Sequence, residues 1–281
     1  MSLSAERIAV ANQAVLRTFA KSSVIWQSVP HWDVGDPGRV NISTEARTPA
    51  AAPAAPAIPA SPPLAIGVAD VQTESIMFAV TIAQADAATP DALLAAAMAR
   101  TVQLAAAVDT AVLTAILGVG GIPVVNLPVP APAAGGAPAV PIPGAQDVLT
   151  ALLVARQEVE DAGYRAPVCL LASTSYYGVL NQYVDQEFIV SGVLGAAGAN
   201  SLLRFTPPPA DRLLVLGRAC EIPHGGAPDA SAGEEPVDLA VCVPPSLEVV
   251  GDNNDGTIVL AVRIRYAARV KDPNGIVRIN P

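Results

Sequence analysis

The spacing of apolar residues predicts several helices. Ile8, Ala11, Val15, Leu16 and Phe19 recur by threes and fours, which favours a leading helix over 3–20. A longer pattern starts at Thr89-Pro90-Asp91, with Thr89 as expected N-cap, and should run to Leu117, ending at Gly118. Two shorter helices are predicted, over 145–162 and over 175–184. The 28-residue pattern far exceeds the average helix of ~11–12 residues, so we expect it to form a structural spine.

Other segments show the pattern of strands. Short apolar runs at 166–172, 213–217 and 237–244 predict buried strands. The stretches 40–44 and 75–82 flank a Pro/Ala-rich tract at 48–63, so 40–82 predicts a two-stranded arm with a proline-rich tip. A second Pro/Gly/Ala-rich tract occupies 118–144. Together these elements predict an α+β fold.

The last strand alternates most sharply. Val262, Ile264, Tyr266, Ala268 and Val270 share one face, and Arg263, Arg265, Arg269 and Lys271 share the other, interrupted by Ala267. Two interpretations of the basic face stay open. It is either a solvated or salt-bridged sheet face, or a strip that meets a polyanion or another subunit.

Composition narrows the possible functions. Of 281 residues, 52% are hydrophobic and 15% charged, which excludes a wholly disordered chain. The net charge of −9 makes a general nucleic-acid binder unexpected, because phosphate neutralisation needs concentrated Lys and Arg. No basic stretch followed by an apolar core opens the chain, and the apolar run 92–121 carries Arg100 and Asp109. We therefore expect a cytoplasmic protein without a membrane span.

Groups that perform catalysis are sparse. With only His31 and His224, one subunit cannot build a multi-histidine metal site, and no phosphate-binding loop or nucleophile elbow is present. Asp109 suits a structural cap better than a catalytic acid, and Cys169 and Cys242 suit buried apolar positions. We expect no enzyme activity, no cofactor and no metal.

The order of elements resembles the encapsulins, the prokaryotic nanocompartment shell proteins that share the Hong Kong 97 phage capsid fold. The resemblance rests on the spine segment AVDTAVLTAILG, on EVEDAGYRAP and CLLASTSYYGVLNQ, and on the closing GTIVLAVRIRYAARVKDPNGIVRI. It implies an N-terminal helix (1–32), an extended E-loop (33–82), a peripheral domain (83–119 and 236–281) and an axial domain (120–235).

The resemblance also implies sites and partners. The segment Val184, Asp185, Gln186, Glu187 and Phe188 would line a pore at a symmetry axis; the other interpretation of this segment is an ordinary solvated helix end. Val15, Leu16, Phe19 and Val249 would form a groove for the targeting peptide of a cargo protein. Ile76, Phe78, Val80 and Ile82 would lie on the arm that contacts a neighbour. Such a chain would form an icosahedral shell of about 60 copies.

Three functions are therefore compared. The first is an encapsulin-like shell around a cargo protein. The second is a phage or prophage major capsid protein that packages DNA, which the acidic charge disfavours. The third is a soluble α+β enzyme, which the absence of a catalytic cluster disfavours.

Overall fold

The computed structural model describes residues 4–47, 64–87, 89–127, 145–181, 183–184, 187–206, 212–219, 235–253 and 255–280. The tract at 48–63, most of the second Pro/Gly/Ala-rich tract, Cys220 and His224 lie outside these residues. The helices are α1 (Ala5–Ser22), α2 (Val24–Ser28), α3 (Ile82–Ala85), α4 (Asp91–Gly118), α5 (Ala145–Asp161), α6 (Thr174–Leu180) and α7 (Ile189–Ala197).

The strands build two larger sheets and two ribbons. In chain order they are β1 (His31–Asp33), β2 (Asn41–Arg47), β3 (Leu64–Asp70), β4 (Gln72–Thr81), β5 (Val124–Asn126), β6 (Val168–Ser173), β7 (Tyr183–Val184), β8 (Glu187–Phe188), β9 (Ala199–Phe205), β10 (Leu213–Leu216), β11 (Val237–Asp252), β12 (Thr257–Val270) and β13 (Ile276–Asn280). The four-stranded sheet has the order β1-β11-β12-β4, and the five-stranded sheet β5-β13-β10-β6-β9. The ribbons are β2-β3 and β7-β8.

The predicted spine helix is confirmed as α4, which spans 28 residues. It packs on β4 and β12 of the four-stranded sheet, beside α1. The expected cap is wrong: Pro90 occupies the N-cap position, and no side chain caps the helix there. Within the described part of the chain, α4 is the one helix long and apolar enough to cross a membrane. Its fully buried Leu93, Leu104 and Leu113 face this chain's own core.

The five-stranded sheet lies between two hydrophobic cores. Along β6, Cys169 and Leu171 contact the core shared with α1 and α4, whereas Leu170 and Ala172 contact a second core under α5. This alternation follows from strand geometry, in which successive side chains point to opposite faces. The predicted peripheral segment 236–281 contributes strands to both sheets. Its last strand, β13, pairs with β10 and β5 and therefore belongs to the five-stranded sheet.

Two helix ends have a local cause in the sequence. Ser4 caps α1 by accepting a hydrogen bond from the amide of Arg7 at 3.3 Å. After α5, Gly163 adopts φ 98°, a left-handed conformation that favours glycine. The helix expected over 175–184 ends earlier, at Leu180, because the chain turns there toward the β7-β8 ribbon.

Candidate assembly surfaces

The basic face of β12 makes its contacts within the chain. Arg263 forms a salt bridge with Glu248 at 2.8 Å, and Arg265 donates hydrogen bonds to the carbonyl oxygens of Pro37 and Arg39, the latter at 2.9 Å. Arg269 and Lys271 share the buried carboxylate of Asp238. The salt-bridged interpretation of this face is therefore confirmed.

Asp238, on β11, is the centre of a buried ionic cluster. Its carboxylate accepts two hydrogen bonds from Arg269, both 2.6 Å long, and lies 2.8 Å from Lys271 Nζ. Asp238 is 1% exposed. Burial lowers the pKa of Lys271, and the Asp238 carboxylate opposes that shift. Removal of one partner from such a cluster leaves an uncompensated buried charge, so these groups are expected to stay in place.

The β2-β3 ribbon, here called the arm, is attached to this cluster. Arg269 Nη1 donates to the carbonyl oxygen of Ser43 at 3.0 Å, and its guanidinium carbon lies 4.8 Å from the ring centre of Trp32. Ile42 packs in a small apolar cluster against Ala240 of β11. The arm is therefore fixed at its base to the outside of the four-stranded sheet.

The pairing of the arm differs from the sequence expectation. β2 pairs with β3, with Asn41 opposite Asp70, and β4 pairs with β12 instead. Phe78 and Val80 are buried in this chain's own core, and Ile76 and Ile82 pack partly against it. The prediction that these four residues lie on the arm is wrong, because β4 is the edge strand of the four-stranded sheet and Ile82 begins α3.

The exposed side of the arm carries apolar surface. Val68 is 64% exposed, and Val40, just before β2, is 69% exposed. The arm makes its own two-stranded sheet, and such ribbons are only marginally stable alone. A surface of this kind is suited to contact another chain.

A second apolar surface lies between α1 and β11. The amide of Leu247 donates a hydrogen bond to Asn12 Oδ1 at 2.6 Å, which fixes α1 beside the strand. Leu16 of α1 is 44% exposed, and Val249 and Val250 of β11 are 41% and 53% exposed. Val15 and Phe19 are fully buried. The prediction that they lie on the groove surface is wrong, because both side chains lie in the hydrophobic core.

The segment predicted to line a pore is a short ribbon between α6 and α7. Tyr183 pairs with Phe188, and Val184 with Glu187, in antiparallel register. Asp185 and Gln186 lie outside the described residues. An ordinary helix end, the other interpretation of this segment, does not match the ribbon.

Asp109 has a structural environment. Its carboxylate accepts hydrogen bonds from the Ser23 hydroxyl at 2.6 Å and from the amides of Val24 and Ile25 at 2.9 and 3.1 Å. It thereby satisfies amides in the first turn of α2. Burial raises the pKa of Asp109, and these hydrogen bonds oppose the shift. It borders a cleft of about 540 Å³ that Arg204 also lines.

Among the described residues, no group of three or more His, Cys, Asp or Glu side chains is arranged to hold a metal ion. The ring of His31 stacks on Trp26 with centroids 3.8 Å apart. The carboxylate of Asp33 accepts a hydrogen bond from the amide of Gly35. The histidine and carboxylate of the His31-Trp32-Asp33 segment thus have structural contacts.

The sequence reasoning missed several residues. Asp238 and the contact from Arg269 to the arm were not foreseen, nor was the hydrogen bond to Asn12. One signal was available for Asp238, since it is a carboxylate inside the apolar run VDLAVCV. A charged residue in a buried strand needs an ionic partner.

No protein-family model matches the chain, and no curated protein sequence matches it either. Solved structures do match. A virus-like particle from Pyrococcus furiosus superposes with a TM-score of 0.68 at 14% identity, over 98% of this chain and 100% of that one.

Phage structures match as well. A phage-related protein from Bordetella bronchiseptica gives a TM-score of 0.60 at 12% identity, over 96% of each chain. The capsid of cyanophage P-SCSP1u gives 0.59 at 12% identity, over 92% of this chain and 88% of that one. The chain therefore has the Hong Kong 97-type capsid fold that the sequence predicted.

Proposed function

We propose that this chain is a structural shell protein that assembles with copies of itself into a closed, hollow, icosahedral particle in the cytoplasm. The observation that carries the proposal is the match along almost the whole chain to the subunit of a virus-like particle. The exposed apolar side of the arm supports the same conclusion.

Electron microscopy of the purified protein tests the proposal. We expect uniform hollow particles whose mass corresponds to many subunits, about 60 in the smallest icosahedral shell. A homogeneous monomer at high concentration would contradict the proposal. Enzymatic turnover by purified particles free of other proteins would contradict a purely structural role.

An encapsulin-like compartment is favoured over a phage or prophage capsid. The net charge of −9 and the internally paired basic face of β12 disfavour DNA packaging. The absorbance ratio of purified particles at 260 and 280 nm separates the two functions, since packaged DNA would raise it.

The cargo of such a compartment would bind through a targeting peptide in the groove between α1 and β11. Leu16 and Val249 offer apolar surface there. We expect Leu16→Asp to leave particles intact and to abolish co-purification of the cargo protein. Val10→Asp, at an equally exposed residue of α1, is the matched control. Equal cargo retention in both variants would exclude the groove.

The β7-β8 ribbon would surround a pore at a symmetry axis. Asp185 and Glu187, repeated around the axis, would form an acidic ring that favours cations over anions. We expect the double variant Asp185→Asn, Glu187→Gln to slow cation entry relative to anion entry. Unchanged relative rates of entry would reject this position for the pore.

A further inference from the structure

We propose that Arg265 and Arg269 of β12 set the direction in which the arm leaves the subunit, and thereby the curvature and diameter of the assembled shell. The part that concerns the shell rests on the proposed function. The part that concerns the arm rests on contacts within one chain.

Arg269 is a rigid tether. Its Nε and Nη2 atoms each lie 2.6 Å from an oxygen of Asp238, which is buried on β11. A planar guanidinium bound by two parallel hydrogen bonds keeps little freedom. The remaining Nη1 donates a hydrogen bond to the carbonyl oxygen of Ser43 at 3.0 Å, so this point of β2 is fixed relative to the four-stranded sheet.

Arg265 supplies a second point. It lies four residues before Arg269 on the same strand face, a separation of about 13 Å at ~3.3 Å per residue. It donates to the carbonyl oxygens of Pro37 and Arg39, in the segment that enters the arm. One anchor would fix only a position, whereas two separated anchors also fix a direction.

The outgoing strand is held to the incoming one. The amide of Val71 donates to the carbonyl oxygen of Val40 at 2.9 Å, at the base of the ribbon. Ile42 and Thr44 are buried at this base, at 4% and 9% exposure. The base of the arm is thus packed on one side, while Val68 stays exposed for a neighbour.

The link to curvature follows from symmetry. In a closed shell each subunit repeats the same contact with the next, so the angle of that contact determines where the shell closes. If the arm makes the contact, its direction enters every repeat. A small change of direction at the base is then multiplied around the whole particle.

The test compares three variants of the full chain. Arg269→Lys keeps the charge and loses the fork, and Arg265→Met removes the second anchor. Arg263→Met is the matched control, because Arg263 lies on the same face of β12 and pairs with Glu248 rather than with the arm. Hydrogen exchange reports the amides of 41–44 and 67–70, and electron microscopy reports particle diameters.

We expect exchange in these two segments to rise about tenfold or more in Arg265→Met and Arg269→Lys, with a broader or shifted distribution of diameters. Both readouts should stay at the wild-type value in Arg263→Met. Exchange equal to that of the control would overturn the tether. Faster exchange with unchanged diameters would overturn the link to curvature.

A variant that does not fold, or a protein that does not assemble, can be distinguished from failure of the tether. If Arg269→Lys does not yield folded protein, Arg265→Met decides, because the Arg265 side chain is partly exposed and its loss leaves no buried charge unpaired. If the wild-type protein forms no particles, the proposed function and the curvature claim fail. Hydrogen exchange then still tests the tether.

Discussion

At the scale of single residues, Asp109 shows why an acid in an apolar helix need not be catalytic. Its three hydrogen bonds join α4 to the start of α2. We expect Asp109→Ala to lower the free energy of unfolding by about 1–3 kcal/mol, because two amides and a hydroxyl lose their acceptor. Asp109→Asn keeps one acceptor and should cost less. Urea unfolding measures both, and equal stability of Asp109→Ala and wild type would contradict the capping role.

The same residue predicts a pH dependence. Its pKa in the folded chain is raised above its ordinary value of 3.8 by burial. The folded state therefore holds the proton more tightly, so the stability that Asp109 contributes is full below the ordinary value and falls as pH rises through the folded pKa. The stability difference between wild type and Asp109→Asn should favour wild type more at about pH 3.5 than at about pH 7. A difference independent of pH would refute the raised pKa.

Gly217 shows a residue whose role only packing reveals. A Cβ built there would lie 2.6 Å from Val159 Cγ1 and 2.9 Å from the carbonyl oxygen of Gly275. We expect Gly217→Ala to destabilise the protein by about 1–3 kcal/mol through overpacking. The control is Gly178→Ala in α6, where a Cβ meets nothing within 4 Å and helix propensity improves. Thermal unfolding compares the two, and equal shifts would disprove the close approach.

At the scale of elements, the corrected arm changes the expected result of a deletion. Residues 41–70 can be replaced by a short glycine linker, because the amide of Val71 and the carbonyl oxygen of Val40 are only 2.9 Å apart. We expect this variant to fold and to remain unassembled, since the two large cores are kept and only the small cluster around Ile42 is lost. Gel filtration and circular dichroism measure the two properties. Intact particles from this variant would contradict the role of the arm.

A longer deletion serves as the comparison for the replacement of residues 41–70. Removal of 40–82 also takes away β4, whose Phe78 and Val80 belong to the core. We expect that variant not to fold, in contrast to the shorter deletion. The burial of β4 indicates that it stabilises the four-stranded sheet. The same folded monomer from both deletions would contradict this.

Local sequence patterns predicted the helices and strands better than they predicted which strands pair. The alternation along β12 and the helical spacing of α4 were read correctly, because both depend on one segment meeting one apolar face. The strand that pairs with β2 was not predicted correctly, since β3 and β4 both follow the proline-rich tract and both can form strands. Only the pairing of Phe78 with Leu260 on β12 decides which of them enters the sheet.

At the scale of the whole molecule, the five-stranded sheet shared by two cores predicts a single unfolding transition. Trp26 and Trp32 both lie on the side of α1 and the four-stranded sheet, away from α5. Leu152 of α5 is fully buried in the second core. We expect Leu152→Ala to lower the free energy of unfolding by about 2–5 kcal/mol, as reported by tryptophan fluorescence at the far side of the molecule.

The adjacent residue supplies the control. Leu153 is 52% exposed, so Leu153→Ala should shift the transition little. Measurements belong at one protein concentration, because assembly also stabilises the folded subunit. An unchanged tryptophan transition in Leu152→Ala would show that the two cores unfold independently.

The sequence by itself determined the long helices, strand β12 and the class of fold, because helix and strand periodicity act over a few residues. It also excluded the common catalytic motifs, since these are short and local. Tertiary structure alone decided which strand pairs with β2, that Val15 and Phe19 lie in the core, and that Arg269 joins Asp238 to the arm. Those contacts link residues from 17 to more than 200 positions apart, and which distant surfaces meet depends on the packing of the whole chain.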